Sequence, residues 1–239
     1  MSPQPSSPLA PTPPAAHAPA HAPALALLEL CSVAQGVFVH DVALKRAAAR
    51  VEWARVYNPG KYALLLRGGE EEVAESLRAA RGASGEFEVD ALLLPSPHPE
   101  LLRALERDAD PYSSSATSSA TSSATSSATS SAPLDPPAVG VVECYSLCAA
   151  LRAADAALKE APVTLVTLRL DTTLGGKGCL IVAGDLDAVD AAVARARSAA
   201  GAAFLFHTQL LPRPHAELPL ALCTEHPAPR PAAPSPLGR

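Results

Sequence analysis

The chain repeats itself, and this duplication constrains its fold more than any other feature of the sequence. Four polar residues of the first half recur 114 residues later with unchanged spacing: Glu29, Ser32, Asp41 and Lys45 return as Glu143, Ser146, Asp155 and Lys159. The offset grows to 116 at Lys61 and Lys177, and to 117 at the Pro-x-Pro-His segments that end in His98 and His215. Insertions confined to connecting segments are tolerated in a duplicated fold. We therefore predict two copies of one small domain.

Proline placement indicates where the two copies begin and end. Of the 25 prolines, 17 lie in residues 1–23, 107–137 and 224–239. Proline is poorly tolerated inside helices and central strands, so the domains are predicted at residues 24–106 and 138–223. The segment 107–137 contains a Ser-Ser-Ala-Thr repeat with almost nothing large enough to bury, which predicts a solvated linker. Both ends are predicted to be disordered tails rich in proline.

Each copy shows the same succession of hydrophobic patterns, β-α-β-β-α-β, which predicts an α+β domain with both helices on one face of a single sheet. In the first copy the predicted elements are 27–30, 32–47, 50–57, 62–66, 71–80 and 87–94. In the second copy the strands are predicted at 139–143, 163–170, 179–183 and 203–211. Ser146 and Asp185 are expected to cap its helices, Pro162 to end the first of them, and a short helix to follow His215.

Composition excludes several classes of function. The net charge of -5 lacks the surplus of Lys and Arg with which proteins displace counterions from DNA, so no nucleic-acid partner is expected. No apolar run approaches the roughly 20 residues that cross a bilayer, and the N-terminus lacks the basic flank of a secretory signal, so no membrane partner is expected. The odd cysteine count of 5 is typical of a reducing compartment, which favours a cytoplasmic location.

Four motifs that occur twice in the same order resemble the tandem-domain shell proteins of bacterial microcompartments. In the second copy they are Gly140-Val141-Val142-Glu143, Ala153-Ala154-Asp155-Ala156-Ala157-Leu158-Lys159, Gly175-Gly176-Lys177 and Pro212-Arg213-Pro214-His215. Within this family the chain is most similar to the propanediol-utilisation type, through Ser32-Val33-Ala34-Gln35-Gly36 and Asn58-Pro59-Gly60-Lys61-Tyr62. The resemblance implies the unpermuted domain order and a homotrimer that closes six domains into a pseudohexameric tile, packed beside other shell proteins.

The resemblance also implies that one hairpin loop of each copy lines a pore on the ring axis, through which small anionic or polar metabolites pass. The residues concerned are Asn58, Pro59, Gly60, Lys61, Thr173, Leu174, Gly175, Gly176 and Lys177. Glycine suits a loop tip that symmetry mates approach closely, but it is also the default residue of an ordinary hairpin turn. The two lysines are expected to make the opening mildly electropositive.

Three basic residues are implied, again by resemblance, to lie at the edge where neighbouring tiles meet. They are Lys45, Lys159 and Arg213, and Ser96 replaces the arginine in the first copy. The alternative is that each lysine is an ordinary solvated residue near a helix C-terminus, where the helix dipole favours positive charge.

No catalytic residue, metal site or cofactor is predicted. Some members of the most similar type hold an iron–sulfur cluster through a cysteine directly before the Pro-Gly-Lys loop, but this chain has Asn58 there. Cys144 and Cys148 lack the spacing and the second pair of a zinc site. For His98 and His215 capping or surface packing is favoured over catalysis. The sequence therefore favours a structural protein over an enzyme, with a trimeric redox-cofactor or small-ligand binding protein of the same fold as the alternative.

Overall fold

The computed structural model describes residues 23–107, 136–170 and 174–218. The first domain contains β1 (Ala24–Leu30), α1 (Val33–Arg46), β2 (Arg50–Tyr57), β3 (Lys61–Gly68), α2 (Glu70–Ser84), β4 (Glu88–Leu94) and α3 (Pro99–Arg107). The second contains β5 (Ala138–Cys144), α4 (Leu147–Glu160), β6 (Thr164–Arg169), β7 (Gly178–Gly184), α5 (Leu186–Ala200) and β8 (Leu205–Pro212). The predicted tails and linker lie almost entirely outside the described residues.

The two sheets have the same topology. Their strand orders are β2-β3-β1-β4 and β6-β7-β5-β8, and every neighbouring pair is antiparallel. This is the split β-α-β arrangement, in which a third strand separates the two strands joined by a helix. The predicted α+β class and unpermuted element order are confirmed.

Both first helices begin at the predicted serine. Ser32 Oγ accepts a hydrogen bond from Gln35 N at 3.2 Å, and Ser146 Oγ accepts one from Ala149 N at 2.9 Å. These bonds satisfy amide groups that have no partner inside the helix. Asp185 also precedes its helix, as predicted, but its side chain makes no capping hydrogen bond. Its carboxylate can favour this helix end only through the dipole.

Both faces of β1 are covered. The even-numbered residues of β1, from Ala24 to Leu30, pack with α1 and α2 in the core of the first domain. Leu25 and Leu27 point the other way and join a core that includes α4 and other residues of the second domain. Every residue of β1 is therefore buried, and the strand reads as a continuous apolar run interrupted only by Glu29.

One packing contact is built differently in the two copies. The ring of Tyr62 lies so close to the helical Gly36 that any Cβ there would overlap it. At the equivalent positions of the second domain the helix carries Ala150 and the strand carries Gly178, which in turn has no room for a Cβ. The large and small residues have exchanged sides, so the shared fold is preserved because the volume at this contact is kept.

The prediction from sequence omitted α3 and made several other elements too short. β1 and β3 begin or end two to three residues beyond the predicted ranges, as boundaries read from hydrophobic patterns often do. α3 was not predicted for the first copy, yet its Leu101 and Leu105 are buried. The helix predicted after His215 is represented, within the described residues, by a turn at Ala216 and Glu217. No described helix has both the length and the apolar character needed to span a membrane.

Candidate functional site

The two domains meet at an interface that we call the internal seam, formed mainly by β1, β4 and the start of β3 against the N-terminal turns of α4. Glu29 lies at its centre and is fully buried. Its Oε1 accepts a hydrogen bond from Lys61 Nζ at 2.7 Å, and its Oε2 accepts one from Leu147 N at 2.8 Å. Burial raises the pKa of Glu29, and the ion pair with Lys61 and the amide of Leu147 oppose that rise. A carboxylate at a helix N-terminus is favourably placed, so Glu29 fixes α4 against the first domain.

A second charged contact lies beside Glu29. Ser146 Oγ donates a hydrogen bond to Asp90 Oδ2. The guanidinium of Arg152 lies 3.3 Å from Asp90 Oδ1 and donates to Ala91 O at 3.2 Å. Asp90 therefore receives donors from the cap and from the second turn of α4. Charge-assisted bonds of this kind fix the register between the two elements.

The Pro-x-Pro-His segment of the first domain binds the end of α4. His98 N donates to Asp155 Oδ1 at 2.8 Å, while Lys159 Nζ donates to Asp155 Oδ2 at 2.6 Å and to Ser96 O at 2.7 Å. His98 Nδ1 accepts from Glu100 N at the start of α3, which is the predicted capping role. Two of the residues singled out in the sequence, His98 and Lys159, are thus brought together at the outer end of the internal seam.

The seam continues along β6 through α3 and β2. Glu100 Oε1 accepts from Leu165 N at 2.7 Å, and Tyr57 Oη donates to Leu170 O at 2.7 Å. Leu101 and Leu105 of α3 lie in the core shared with the second domain. The segment that follows β4 is therefore part of the interface between domains, which explains why its helix carries an apolar stripe.

The two hairpin loops predicted to line a pore lie against each other. A Cβ on Gly176 would lie 2.8 Å from Asn58 O and 3.3 Å from Lys61 Cδ, so the backbones of the loops are in direct contact. Gly60, Gly175 and Gly176 have φ values of 101°, 62° and 80°, a region that favours glycine. The described residues thus include Asn58, Pro59, Gly60, Lys61, Leu174, Gly175, Gly176 and Lys177 of the predicted set, whereas Thr173 lies outside them.

Both loop lysines have a carboxylate neighbour. Lys61 is paired with the buried Glu29, as described above. Lys177 Nζ lies 3.8 Å from Glu143 and 4.3 Å from the centroid of the Phe206 ring. The positive charge predicted for the loops is therefore partly neutralised. The tips, where Gly60 and Gly175 lie, present mainly backbone groups.

The residues predicted for a tile edge lie on the surface in different settings. Lys45 is largely exposed and pairs with Asp41 at 2.6 Å on α1. Lys159 makes the equivalent pair with Asp155, but that carboxylate is buried in the internal seam. Arg213 is exposed, and its N donates to Pro137 O at 2.8 Å. Lys159 and the Pro-x-Pro-His segment share the outer end of the seam.

The three cysteines described in the second domain are packing residues. Cys144, Cys148 and Cys179 are buried, and Cys148 Sγ donates to Leu27 O across the seam. Burial raises the pKa of Cys144 to about 12 and that of Cys179 to about 11, so their thiols stay protonated near neutrality. Among the described residues no group of three or more His, Cys, Asp and Glu is placed to hold a metal ion.

The central role of Glu29 was not predicted, although the sequence contains a signal for it. A carboxylate stands in the same place on an apolar strand in both copies, as Glu29 and Glu143. A charged residue inside such a strand requires a partner when it is buried. The pair of Arg152 and Asp90 leaves no such signal, because neither residue is repeated in the other copy.

Comparison with known proteins agrees with this geometry. The BMC domain family matches residues 24–97 and 138–214. A curated relative, the bacterial microcompartment shell protein PduT of Citrobacter freundii, is 32% identical over 195 residues, covering 80% of this chain and 93% of the relative. The crystal structure of a microcompartment protein from Desulfitobacterium hafniense is 28% identical with a TM-score of 0.61, covering 81% of this chain and 96% of that one.

Replacing Glu29 by glutamine tests the internal seam. We expect Glu29→Gln to lower the free energy of unfolding by about 2–3 kcal/mol, because the partly buried Lys61 and the amide of Leu147 lose a charged partner. Denaturant unfolding in dilute solution measures this loss.

The matched control is Glu143→Gln. In a single chain the Glu143 side chain is about one-third exposed, and its distance of 3.8 Å from Lys177 is long for an ion pair. The loss of unfolding free energy should therefore stay below about 1 kcal/mol. Equal losses for the two variants, measured at a concentration at which the chain is monomeric, would contradict the central role of Glu29.

Proposed function

Because the chain belongs to the BMC-domain family of microcompartment shell proteins, as a member with two domains in tandem, we propose that it is a structural protein of such a shell. In this proposal three chains close into a ring of six domains, a pseudohexameric tile with a central pore for small metabolites. The chain acts without catalysing a reaction and packs beside other shell proteins. The observation that carries the proposal is that each half of the internal seam occurs twice among the described residues, where one copy is covered and the other is exposed.

The unused half on the first domain is the outer face of α1 and β2. Val37, Leu44 and Val56 are between 46% and 59% exposed. Their equivalents in the second domain, Leu151, Leu158 and Leu170, are at most 6% exposed. The same positions are thus apolar in both copies and buried where the seam covers them. Apolar surface of this kind marks a contact with another protein.

The unused half on the second domain is the surface around β5 and β8. Glu143 is partly exposed where Glu29 is fully buried. Leu218 is 41% exposed, whereas its equivalent Leu101 is fully buried against the second domain. The carboxylate and the leucine are therefore present, but in the described part of the chain they are not covered as Glu29 and Leu101 are.

These two unused halves are complementary. In the proposed contact, α1 of one chain packs on the surface around β5 and β8 of the next chain, as α4 packs on the first domain within one chain. Such a head-to-tail contact closes into a ring if its rotation permits and otherwise forms a filament. Three chains supply six domains, the number that the family resemblance implies. We call this contact the external seam.

The position of the hairpin loops beside the seam supports the proposed pore. Lys61 Nζ, at the base of one loop, also donates to Tyr145 O of the second domain at 3.3 Å. Loops fixed in this way and repeated around an axis would bring the tips at Gly60 and Gly175 together. Since both lysines lie beside carboxylates, selectivity for small polar or anionic metabolites would come mainly from backbone amides at the tips.

The first test is whether the external seam forms. Native mass spectrometry should give three times the chain mass, and electron microscopy should show sheets, tubes or shells. Leu44→Glu should weaken the trimer by at least about tenfold, because it would bury an unpaired carboxylate.

Leu186→Glu is the matched control, since Leu186 is 42% exposed at the start of α5, outside the predicted seam. A monomeric wild-type protein would contradict the ring. A discrete trimer that never forms sheets and retains a chromophore would instead favour the alternative, a cofactor-binding trimer.

A second test addresses the pore. We expect Gly175→Asp to slow the entry of an anionic substrate into assembled shells by about two- to tenfold at low salt, because it adds a carboxylate to each chain at the pore. Conversion by an encapsulated reporter enzyme measures entry. Gly175→Asn is the control, since asparagine tolerates the positive φ equally well without charge. Equal entry rates for both variants would contradict a pore at this loop.

A third test addresses the tile edge. The double variant Lys45→Gln/Lys159→Gln should remain trimeric but form sheets poorly, because glutamine can still donate to Ser96 O while the positive charge is lost. Electron microscopy and native mass spectrometry together measure both properties. Arginine at the same two positions should preserve sheets. Unchanged sheets in the glutamine variant would contradict the edge role of these lysines.

A further inference from the structure

The internal and external seams should differ at one pair of positions. α1 and α4 have equal lengths and start after equivalent serines, which places Phe38 where the second domain has Arg152. In the sheets, Asp90 pairs with Glu29 and His207 pairs with Glu143, so His207 stands where the first domain has Asp90. The ion pair of the internal seam therefore has Phe38 and His207 as its counterparts on the two unused faces.

Both counterparts are available for contact in the single chain. Phe38 is 55% exposed on α1, about 100° around the helix from the half-exposed Val37 and Leu44, as Arg152 is from Leu151 and Leu158 on α4. His207 is exposed on β8, the edge strand of the second sheet. In the described part of the chain neither side chain makes a hydrogen bond, ion pair or ring contact, whereas Arg152 and Asp90 form an ion pair with side chains 30% and 9% exposed.

We propose that Phe38 of one chain packs on His207 of the next, and that this aromatic–imidazole contact determines which helix the external seam accepts. The inference rests on the ring proposed above and adds its specificity. At the internal seam Arg152 and Asp90 attract each other as opposite charges. At the external seam the rings of Phe38 and His207 pack against each other instead. A helix with the wrong residue at this position would leave a group buried without its partner.

The two domain faces would select different helices because one presents the carboxylate of Asp90 and the other presents the imidazole of His207. Asp90 is a carboxylate that receives donors from Ser146 and Arg152. Phe38 has no donor to offer a carboxylate, so α1 of another chain is a poor substitute for α4 on the first domain. In the same way, an arginine brought to His207 finds no carboxylate at that position and loses its hydration. Removing one partner of a buried charged pair is costly, whereas replacing both partners together can be nearly neutral.

The second domain can accept an aspartate at this position. In the first domain Glu29 and Asp90 already lie side by side on paired strands, and the donors from α4 and Lys61 satisfy both. His207→Asp would reproduce that arrangement next to Glu143 and Lys177. Together with an arginine at position 38, this substitution would give the external seam the ion pair of the internal seam.

The test is a double-mutant cycle in the full-length chain, with the trimer dissociation constant measured by analytical ultracentrifugation. Phe38→Arg should weaken the trimer by at least about tenfold, because an arginine is placed against His207. Adding His207→Asp to Phe38→Arg should restore the dissociation constant to within about threefold of the wild type. Leu186→Arg is the control for placing an arginine on an exposed helical leucine, and should leave the trimer unchanged. Phe38 is exposed, so circular dichroism should show each chain folded.

The outcomes separate this inference from the proposed function. A wild-type trimer that tolerates Phe38→Arg, or a double variant no tighter than Phe38→Arg alone, would overturn the specificity contact and leave the ring standing. A monomeric wild-type chain that forms no larger assembly would overturn both. Weakening by Phe38→Arg and recovery in the double variant would support the contact.

Discussion

The fold of the whole chain depends on a buried carboxylate that neither domain satisfies alone. Glu29 needs the ammonium group of Lys61 from its own domain and the amide of Leu147 from the other. Because an unpaired buried charge is so unfavourable, this requirement fixes the hairpin base, the strand and the N-terminus of α4 relative to one another. The neighbouring contacts along the seam extend that register to the far end of α4.

Among the described residues the same requirement is met fully in only one of the two copies. The second domain carries an equivalent carboxylate, Glu143, whose only described ion-pair neighbour is Lys177 at 3.8 Å. In the first domain α1 is the equivalent of α4, and its outer apolar residues, such as Val37 and Leu44, are exposed. A chain with one satisfied and one unsatisfied copy of an interface is suited to join other copies of itself, which is why a role in assembly follows more directly from this structure than a role in catalysis.

Duplication within one chain allowed the two copies to diverge without losing the fold. The exchange of Gly36 and Tyr62 for Ala150 and Gly178 keeps the volume at a contact inside each domain. The exchange of Arg152 and Asp90 for Phe38 and His207 places two rings on exposed faces at the positions where the internal seam has an ion pair. A single-domain protein that forms a ring must use the same residues at every interface, whereas a tandem chain can give its two interfaces different chemistry.

The duplication, the order of helices and strands, the serine caps and the resemblance to a family could all be predicted from the amino-acid pattern, because they depend on local patterns and on the repetition of short motifs. The pattern did not reveal that Lys61 is held by Glu29, that α3 belongs to the interface between domains, or that Arg152 reaches Asp90. Those contacts join residues 32 to 65 positions apart or lie in different domains, and one of them exists in only one copy. Only the tertiary structure could decide them, since a charged side chain is the same in sequence whether it faces solvent or a buried partner.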